Sequence, residues 1–333
     1  MLTRKIIEAS NSNRDVEREL LLMLREKGSR RLFLKAAQNC LEHGYPALAW
    51  RILRQCCEQF NPHCSVTQEV IREVLNAGGE PAHSVTQDYA SGIRISVVIC
   101  SWNRAEMLKD CLEQINAKLS SHDSVEILVV DNGSTDNSVE IARAGGATEV
   151  YEADSNVGLE IYRNAFDLCK GDLIIEIDDD VIELPQNFDQ IFLDYFEAFP
   201  DFGFLGMNVV QDWRTNGAKP DIEHYSLEER NGMTIERGPV VGCCAAIKRE
   251  TFDRVNRFEG IELSMSQSED GVLCSRVISM GLGAGIIHDH TCLHACGPTF
   301  SKEYGYLERD IEKYRIAGLT EMAQMYEGMR EPQ

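Results

Sequence analysis

Three consecutive carboxylates, Asp178 to Asp180, are the residues of this 333-residue chain whose type and spacing best suit chemistry. They follow directly on the alternating apolar residues of 173–177, which predict a short buried strand. Like charges crowded at the end of a strand cost free energy unless a cation lies beside them. Hard divalent cations prefer oxygen ligands. The sequence therefore predicts a metal site at this strand end in preference to a solvated acidic loop.

The elements around these carboxylates alternate between strands and helices. Apolar runs predict buried strands at 94–100, 125–134 and 173–180, and 147–154 is predicted as a further strand, with helices between them. Strands separated by helices imply a parallel sheet with right-handed crossovers. Ligands of such sheets bind at the carboxyl ends of the strands. Trp102 and Asp131 lie at those ends together with the three carboxylates.

Charge and composition exclude several classes of function. The chain holds 54 acidic and 33 basic residues, for a net charge of −21, and all of the acidic excess lies beyond residue 90. An acidic body argues against binding nucleic acid or anionic lipid. No apolar run reaches the length of a membrane span, and the N-terminus lacks a signal-peptide pattern. We therefore expect a cytoplasmic protein without a transmembrane segment.

The twelve cysteines include no CxxC pair, which favours reduced and buried thiols. The stretch 288–296, HDHTCLHAC, is an alternative candidate for a zinc site. Its spacing matches no standard structural zinc pattern.

The two ends of the chain are predicted to be helical. Residues 1–77 form a small helical region with four predicted helices, and residues 78–92 form a polar linker. The second and third helices, 30–44 and 46–60, resemble one tetratricopeptide-type hairpin. The positions that carry this likeness are Ala37, Gly44, Tyr45, Ala49, Leu53 and Pro62. Such a hairpin would bind a partner protein, whereas a plain helical cap on the next domain is the equal alternative.

The order of motifs between residues 93 and 300 resembles the inverting, family 2 type glycosyltransferases with a GT-A fold. The segments that carry this resemblance are SVVICSWNR (96–104), ILVVDNGSTDNS (127–138), NVGLEIYRN (156–164), IEIDDDV (175–181), GCCAAIKRETFDRVNRFEG (242–260) and SEDGVLCSRVISMGL (268–282). The resemblance implies an α/β, Rossmann-like domain at 93–300 with a mostly parallel sheet flanked by helices. Residues 301–333 would be a C-terminal helical extension, to which we assign no role.

The resemblance further implies a donor site for a nucleoside-diphosphate sugar. The carboxylate of Asp131 can accept a hydrogen bond from a base imino group, which favours a UDP-sugar. Trp102 offers an aromatic face to the base. The predicted donor-binding residues are Ser101, Trp102, Arg104, Asp131, Asn156, Arg163, Asp178 and Asp179.

The metal ligands implied by the resemblance are Asp178 and Asp180, with a late histidine as the third. We prefer His294, because HACGPTF resembles the end of the family pattern. A strand through 286–294 would place His288 and His290 on the same face, so spacing alone does not choose among the three. Carboxylate and phosphate ligands suit Mg²⁺ or Mn²⁺, and a histidine favours Mn²⁺.

A glycosyltransferase also needs a base for the acceptor hydroxyl. The family places it in a Glu-Asp pair ahead of a helix, which is Glu269–Asp270 here, with Asp270 as the base. The acceptor is a hydroxyl of a glycan precursor, peptide or protein. The alternatives are a nucleotidyltransferase, which the lack of glycine in SWNRAEM disfavours, and a catalytically inactive adaptor on a transferase fold.

Overall fold

The computed structural model describes residues 94–215, 219–265 and 267–330, and part of the N-terminal region: 20, 23–24, 29–45, 48–49, 52–53, 56 and 70. The predicted second helix is present as α1, Arg30–Glu42. The rest of the proposed tetratricopeptide-type hairpin, including Pro62, and the predicted linker at 78–92 fall wholly or largely outside the described residues. Of the helices in the described ranges, none has the length and apolar character that crossing a bilayer would require.

A mixed sheet forms the centre of the fold. Its strands are β1 (Ile95–Ser101), β2 (Val125–Asp131), β3 (Glu149–Glu152), β4 (Leu173–Ile177), β5 (Val181–Glu183), β6 (Phe202–Val209), β7 (Ser226–Arg230), β8 (Met233–Arg237), β9 (Cys244–Lys248) and β10 (Gly283–His294). The order across the sheet is β3-β2-β1-β4-β9-β6-β10-β8-β7, and β5 pairs with the end of β10. The first four strands are parallel, as predicted. Antiparallel β9 then joins them to the second half of the sheet.

Helices cover both faces of this sheet. After α1 they are α2 (Ala105–Lys118), α3 (Ser138–Ala144), α4 (Ile161–Leu168), α5 (Phe188–Ala198), α6 (Arg249–Arg254), α7 (Glu269–Ser279), α8 (Pro298–Glu303), α9 (Leu307–Ile316) and α10 (Thr320–Glu327). Leu108 of α2 and Phe192 of α5 pack in one buried cluster, whereas Phe166 of α4 and Leu273 of α7 pack in another. Alternate side chains of β1 pack into the one cluster and into the other, because successive residues of a strand point to opposite faces of the sheet. The predicted α/β class is confirmed.

The register of the parallel strands brings the predicted functional residues to one edge. Ser101 at the end of β1 pairs with Asp131 at the end of β2. Val98 pairs with Glu176 of β4, so the carboxylates that follow β4 lie level with the end of β1. This edge is the carboxyl end of the strands, where ligands of α/β sheets bind.

The short strand β5 explains how His294 reaches the carboxylates. Val181, directly after Asp180, pairs with His294 in antiparallel register, and the amide of Ala295 donates to the carbonyl of Asp180 at 2.7 Å. A bulge in β10 lies between Ile287 and Thr291, where the pairing to β6 skips three residues. The regular alternation expected through 286–294 is therefore interrupted.

We predict that Gly171→Ala destabilises the fold. A Cβ at Gly171 would lie 2.5 Å from the backbone nitrogen of Ser96, so the start of β4 could no longer approach β1 as closely. Overpacking of this kind costs about 1–3 kcal/mol. Thermal unfolding should show a midpoint lowered by several degrees. Gly328→Ala is the control, because its Cβ would meet its nearest neighbour at an ordinary 3.4 Å. Equal midpoints for both variants would contradict the close crossing.

Candidate active site

Asp180 faces two different partners with its two carboxylate oxygens. Oδ2 accepts a hydrogen bond from Arg104 at 2.6 Å, and Oδ1 lies 2.9 Å from Nε2 of His294. Burial acts to raise the pKa of Asp180, but the charges of His294 and Arg104 outweigh it and hold the pKa well below its usual range. Asp180 is therefore an anion at neutral pH although its side chain is buried.

Asp178 completes a group of three possible metal ligands. Its Oδ2 lies 3.5 Å from Nε2 of His294, and its Oδ1 accepts a hydrogen bond from the hydroxyl of Tyr162 at 3.1 Å. One ligand atom from each of Asp178, Asp180 and His294 lies within 4.8 Å of the others. Burial raises the pKa of Asp178 to about 6, with the charge of His294 acting against this. Two carboxylates and an imidazole form a donor set that suits a divalent cation such as Mn²⁺.

The other two histidines of the predicted trio lie elsewhere. Nδ1 of His288 contacts Glu236 at 2.7 Å, and the ring of His290 packs edge-on against Tyr195. The bulge in β10 is the reason that they are separated from His294. These contacts also give no support to a zinc site at 288–296.

Asp179 is not a member of this group of possible metal ligands. It accepts hydrogen bonds from the hydroxyl of Ser101 at 2.8 Å and from Arg104 at 3.0 Å. Arg104 therefore bridges Asp179 and Asp180, and its other terminal nitrogen lies 3.4 Å from Asp310 of α9. Ser101 and Arg104 hold the carboxylates in place, in addition to lining the cavity described next.

A cavity of about 740 Å³ opens beside these carboxylates. Ser101, Trp102, Arg104, Asn156 and the carboxylates of 178–180 line it, as does His294. Of the predicted donor-binding residues, only Asp131 and Arg163 are not among those that line it. The sequence prediction thus placed most of its donor residues and all of its metal ligands around one cavity.

Asp131 is next in sequence to Asn132 of the cavity wall, but it does not itself line the cavity. Its Oδ2 accepts a hydrogen bond from the amide of Ser134 at 2.8 Å, and the side chain is buried. Its Oδ1 is buried without a hydrogen-bond donor from the described residues. Buried carboxylate oxygens normally have a donor, so this atom suits an N–H group of a ligand.

Asn156 shapes the loop beside Asp131. Its Oδ1 accepts hydrogen bonds from Nδ2 of Asn132 at 3.1 Å and from the amide of Gly158 at 2.8 Å. Asn132 in turn accepts from the amide of Val157 at 2.9 Å. These contacts fix the cavity wall between β2 and α4.

Arg163, predicted to bind the donor, is not among the described residues that line the cavity. Its guanidinium donates to the carbonyls of Phe258 at 2.7 Å and Ile261 at 2.5 Å, and it pairs with Glu160 one helical turn before it. Backbone carbonyls of a distant loop attract this side chain, which the sequence could not indicate. In this structure Arg163 anchors the loop after α6 to helix α4.

Glu269 and Asp270 begin helix α7 behind the carboxylates. Asp270 accepts hydrogen bonds from the amides of Gly242 at 3.1 Å and Gly271 at 2.6 Å, and from the hydroxyl of Ser268. Neither acid is among the described residues that line the cavity. Burial raises the pKa of Glu269 to about 8, and the charges of Asp270 and then Asp178 add to this effect. Glu269 therefore holds a proton at neutral pH.

Helix α9 and the residues around it form a wall of the cavity that the sequence did not predict. Arg309, Asp310, Lys313 and Tyr314 all line it. The guanidinium of Arg309 lies 4.9 Å from the centre of the Trp102 ring and donates to the Trp102 carbonyl at 2.6 Å. One face of Trp102 is thus already covered by a cation. The helical spacing of Arg309 and Lys313, four residues apart, was the available signal that both face one side.

Residues 96–255 match the family model described as glycosyl transferase family 2. These residues form a family 2 glycosyltransferase domain. The match runs from β1 to the end of α6, so Glu269, Asp270 and His294 lie beyond it. The expectation of a family 2 type GT-A domain is confirmed, whereas the tetratricopeptide-type hairpin stays a prediction.

One curated relative of this family 2 domain is the undecaprenyl-phosphate 4-deoxy-4-formamido-L-arabinose transferase of Aeromonas hydrophila. The two are 26% identical over 149 residues, which are 42% of this chain and 44% of the relative. The chain thus matches less than half the length of that protein.

Two solved structures are also similar to the chain. The mannosyltransferase PcManGT of Pyrobaculum calidifontis, solved with GDP-Man and Mn²⁺, is 17% identical, with a TM-score of 0.49 over 85% of this chain and 77% of its own. Residues 1–349 of S. aureus TarS, solved with UDP-GlcNAc, are 13% identical, with a TM-score of 0.49 over 68% of this chain and 66% of that one.

The raised pKa of Glu269 predicts a pH-dependent difference in stability between the wild type and Glu269→Gln. A free glutamate has a pKa of about 4.3. The stabilisation from proton uptake by folded Glu269 is complete below that value and is lost as the pH rises towards about 8. Glu269→Gln should therefore gain stability relative to the wild type from pH 5 to pH 8, by at most about 1.4 kcal/mol per pH unit.

Thermal midpoints of both proteins at pH 5, 6.5 and 8 measure this difference. The exposed Glu113, replaced by glutamine, is the matched control and should show a constant difference from the wild type. A constant difference for Glu269→Gln as well would rule out a protonated, buried Glu269.

Proposed function

We propose that this protein is a metal-dependent, inverting glycosyltransferase that moves a sugar from a nucleoside-diphosphate sugar to a hydroxyl acceptor. The observation that carries the proposal is the group of Asp178, Asp180 and His294 on the wall of a cavity within and beside a family 2 domain. The cavity volume of about 740 Å³ lies within the range of sites for small molecules and cofactors.

The donor would lie across the carboxyl ends of β1, β2 and β4. Oδ1 of Asp131 would accept the imino hydrogen of the base, and for that reason we propose a UDP-sugar. Asn132 and Asn156 would shape the wall beside it. Trp102 would contribute less to the base than its sequence position predicts, since Arg309 occupies one face of its ring.

Asp178, Asp180 and His294 would hold Mn²⁺ or Mg²⁺. When bound, such a cation neutralises the charge that grows on the leaving diphosphate. Arg104 donates a hydrogen bond to Oδ2 of Asp180, which leaves Oδ1 of the same carboxylate next to the imidazole of His294. Asp179 is engaged by Ser101 and Arg104, so its role would be to position the arginine.

Asp270 would be the general base. It would take the proton of the acceptor hydroxyl while the hydroxyl oxygen bonds to the anomeric carbon and the bond to the diphosphate breaks. Displacement from the opposite face inverts that carbon. Glu269 is the weaker candidate because it already holds a proton at neutral pH. The amide of Gly242 orients the carboxylate of Asp270 at 3.1 Å.

Turnover of a UDP-sugar tests the proposed reaction. We expect activity with Mn²⁺ that EDTA abolishes and added Mn²⁺ restores. Asp180→Asn should lose activity together with Mn²⁺ affinity. Asp270→Asn should lower kcat at least about 100-fold, with the affinity for UDP unchanged. The exposed Asp123, replaced by asparagine, is the control and should behave as the wild type.

Two further results would decide between this reaction and its alternatives. Gly242→Ala should mimic Asp270→Asn in part, because its Cβ would lie 2.8 Å from the Cβ of Asp270 and displace it. Tight UDP binding without turnover of any donor sugar would favour the inactive adaptor instead.

Asp131 predicts the choice of nucleotide. A carboxylate oxygen can only accept hydrogen bonds, so it suits the N–H of uracil and not the ring nitrogen acceptor of cytosine. We expect the wild type to bind UDP more tightly than CDP in calorimetric titrations with Mn²⁺, and Asp131→Asn to lose much of that preference. Thymine and guanine also carry a ring N–H, so titrations with dTDP and GDP report on the rest of the pocket and not on Asp131. A wild type that shows no preference for UDP over CDP would overturn the assignment of the base.

A further inference from the structure

Helix α9 brings a lysine, Lys313, to the wall of the cavity. Lys313 lines the cavity, and within the described residues its ammonium has no carboxylate oxygen within 4.0 Å. Nζ of Lys313 lies over the ring of the neighbouring Tyr314, 5.6 Å from the ring centre. The chain as a whole has a net charge of −21, so this lysine adds a positive charge to the wall of a cavity in an acidic protein.

The neighbouring cations have their charges matched, whereas Lys313 does not. Arg104 forms salt bridges with Asp179 and Asp180, and Arg309 forms one with Asp310 at 2.5 Å. Asp310 is itself fixed by the hydroxyl of Ser301 at 2.5 Å. These carboxylates therefore compensate the charges of the two guanidiniums, and the ammonium of Lys313 is left for a group that the ligand brings.

Lys313 also lies in the part of the cavity that holds Asp180. Burial lowers the pKa of Lys313, the charges of Arg104 and Arg309 lower it further, and those of Asp310 and Asp180 act against them. Each of these charges must be close to Lys313 for that to occur. The lysine is therefore near Asp180, one of the proposed metal ligands.

We propose that Lys313 binds the diphosphate of the donor, so that helix α9 is part of the donor site. This inference rests on the proposed function and extends it to the C-terminal extension, which has no part in the family match at 96–255. A diphosphate supplies the negative charge that Lys313 lacks, and charge-assisted hydrogen bonds to phosphate are among the stronger ones. Arg309 would hold α9 beside the diphosphate, because its guanidinium contacts both the carbonyl and the ring of Trp102.

Calorimetric titration with UDP and with uridine, both with Mn²⁺, tests the assignment. Lys313→Gln should weaken UDP binding by about 10- to 100-fold, as expected for the loss of a hydrogen bond to a charged group. Uridine has no phosphate, so its affinity should stay the same. Lys313→Arg keeps the charge and should recover most of the UDP affinity. Lys302→Gln, an exposed lysine of α8 that does not line the cavity, is the control.

The possible outcomes separate this proposal from the proposed function. If Lys313→Gln binds UDP as the wild type does, or loses UDP and uridine affinity equally, Lys313 does not bind the diphosphate while the donor site itself stands. If the wild type binds no nucleoside diphosphate, both the donor site and the role of Lys313 are overturned. Thermal midpoints equal to the wild type would show that the variants are folded.

Discussion

The bridge that Arg104 makes between Asp179 and Asp180 is the interaction on which the rest of this structure depends. Burying adjacent carboxylates is costly without a cation that satisfies them. Arg104 meets that need from the turn after β1, with hydrogen bonds of 3.0 and 2.6 Å. Its third contact, with Asp310 at 3.4 Å, connects the same guanidinium to α9. One side chain thus joins the first strand, the acidic strand end and the C-terminal helices.

This bridge divides the three carboxylates into two kinds. Both oxygens of Asp179 accept hydrogen bonds from protein side chains, one from Ser101 and one from Arg104. Asp178 and one oxygen of Asp180 remain directed at His294. The three carboxylates lie in the turn between β4 and β5, where the amide of Val181 donates to the carbonyl of Asp178 at 3.0 Å. This turn directs two carboxylates to the imidazole of His294 and leaves the third as an anchor for Arg104.

The parts of this fold and site that could be predicted from sequence are those carried by local pattern. The strands β1, β2 and β4 have continuous apolar runs, and polar residues at their ends had to meet at one edge of a parallel sheet. The place of Arg163 could not be predicted in this way, since its partners are backbone carbonyls almost 100 residues away. The bulge that separates His288 and His290 from His294 depends on pairing with β6 and β5. Likewise, the packing of α9 over the cavity is a tertiary contact, and amphipathic spacing only indicates that the helix has a buried face.

Two further acids near these carboxylates, Glu176 and Glu269, have raised pKa values, which lets several carboxyl groups lie at the same end of the sheet. Glu176 lies on β4 two residues before Asp178 and on the same face, buried, with neither oxygen bonded within the described part of the chain. Burial raises its pKa well above the usual range, and the charges of Glu269 and Asp178 raise it further. Glu269 holds a proton at neutral pH, and the raised pKa of Glu176 favours its neutral form as well. Both side chains thus add bulk and hydrogen-bonding capacity with little added charge. The negative charge near the proposed metal ligands is carried mainly by the carboxylates that Arg104 and His294 can compensate.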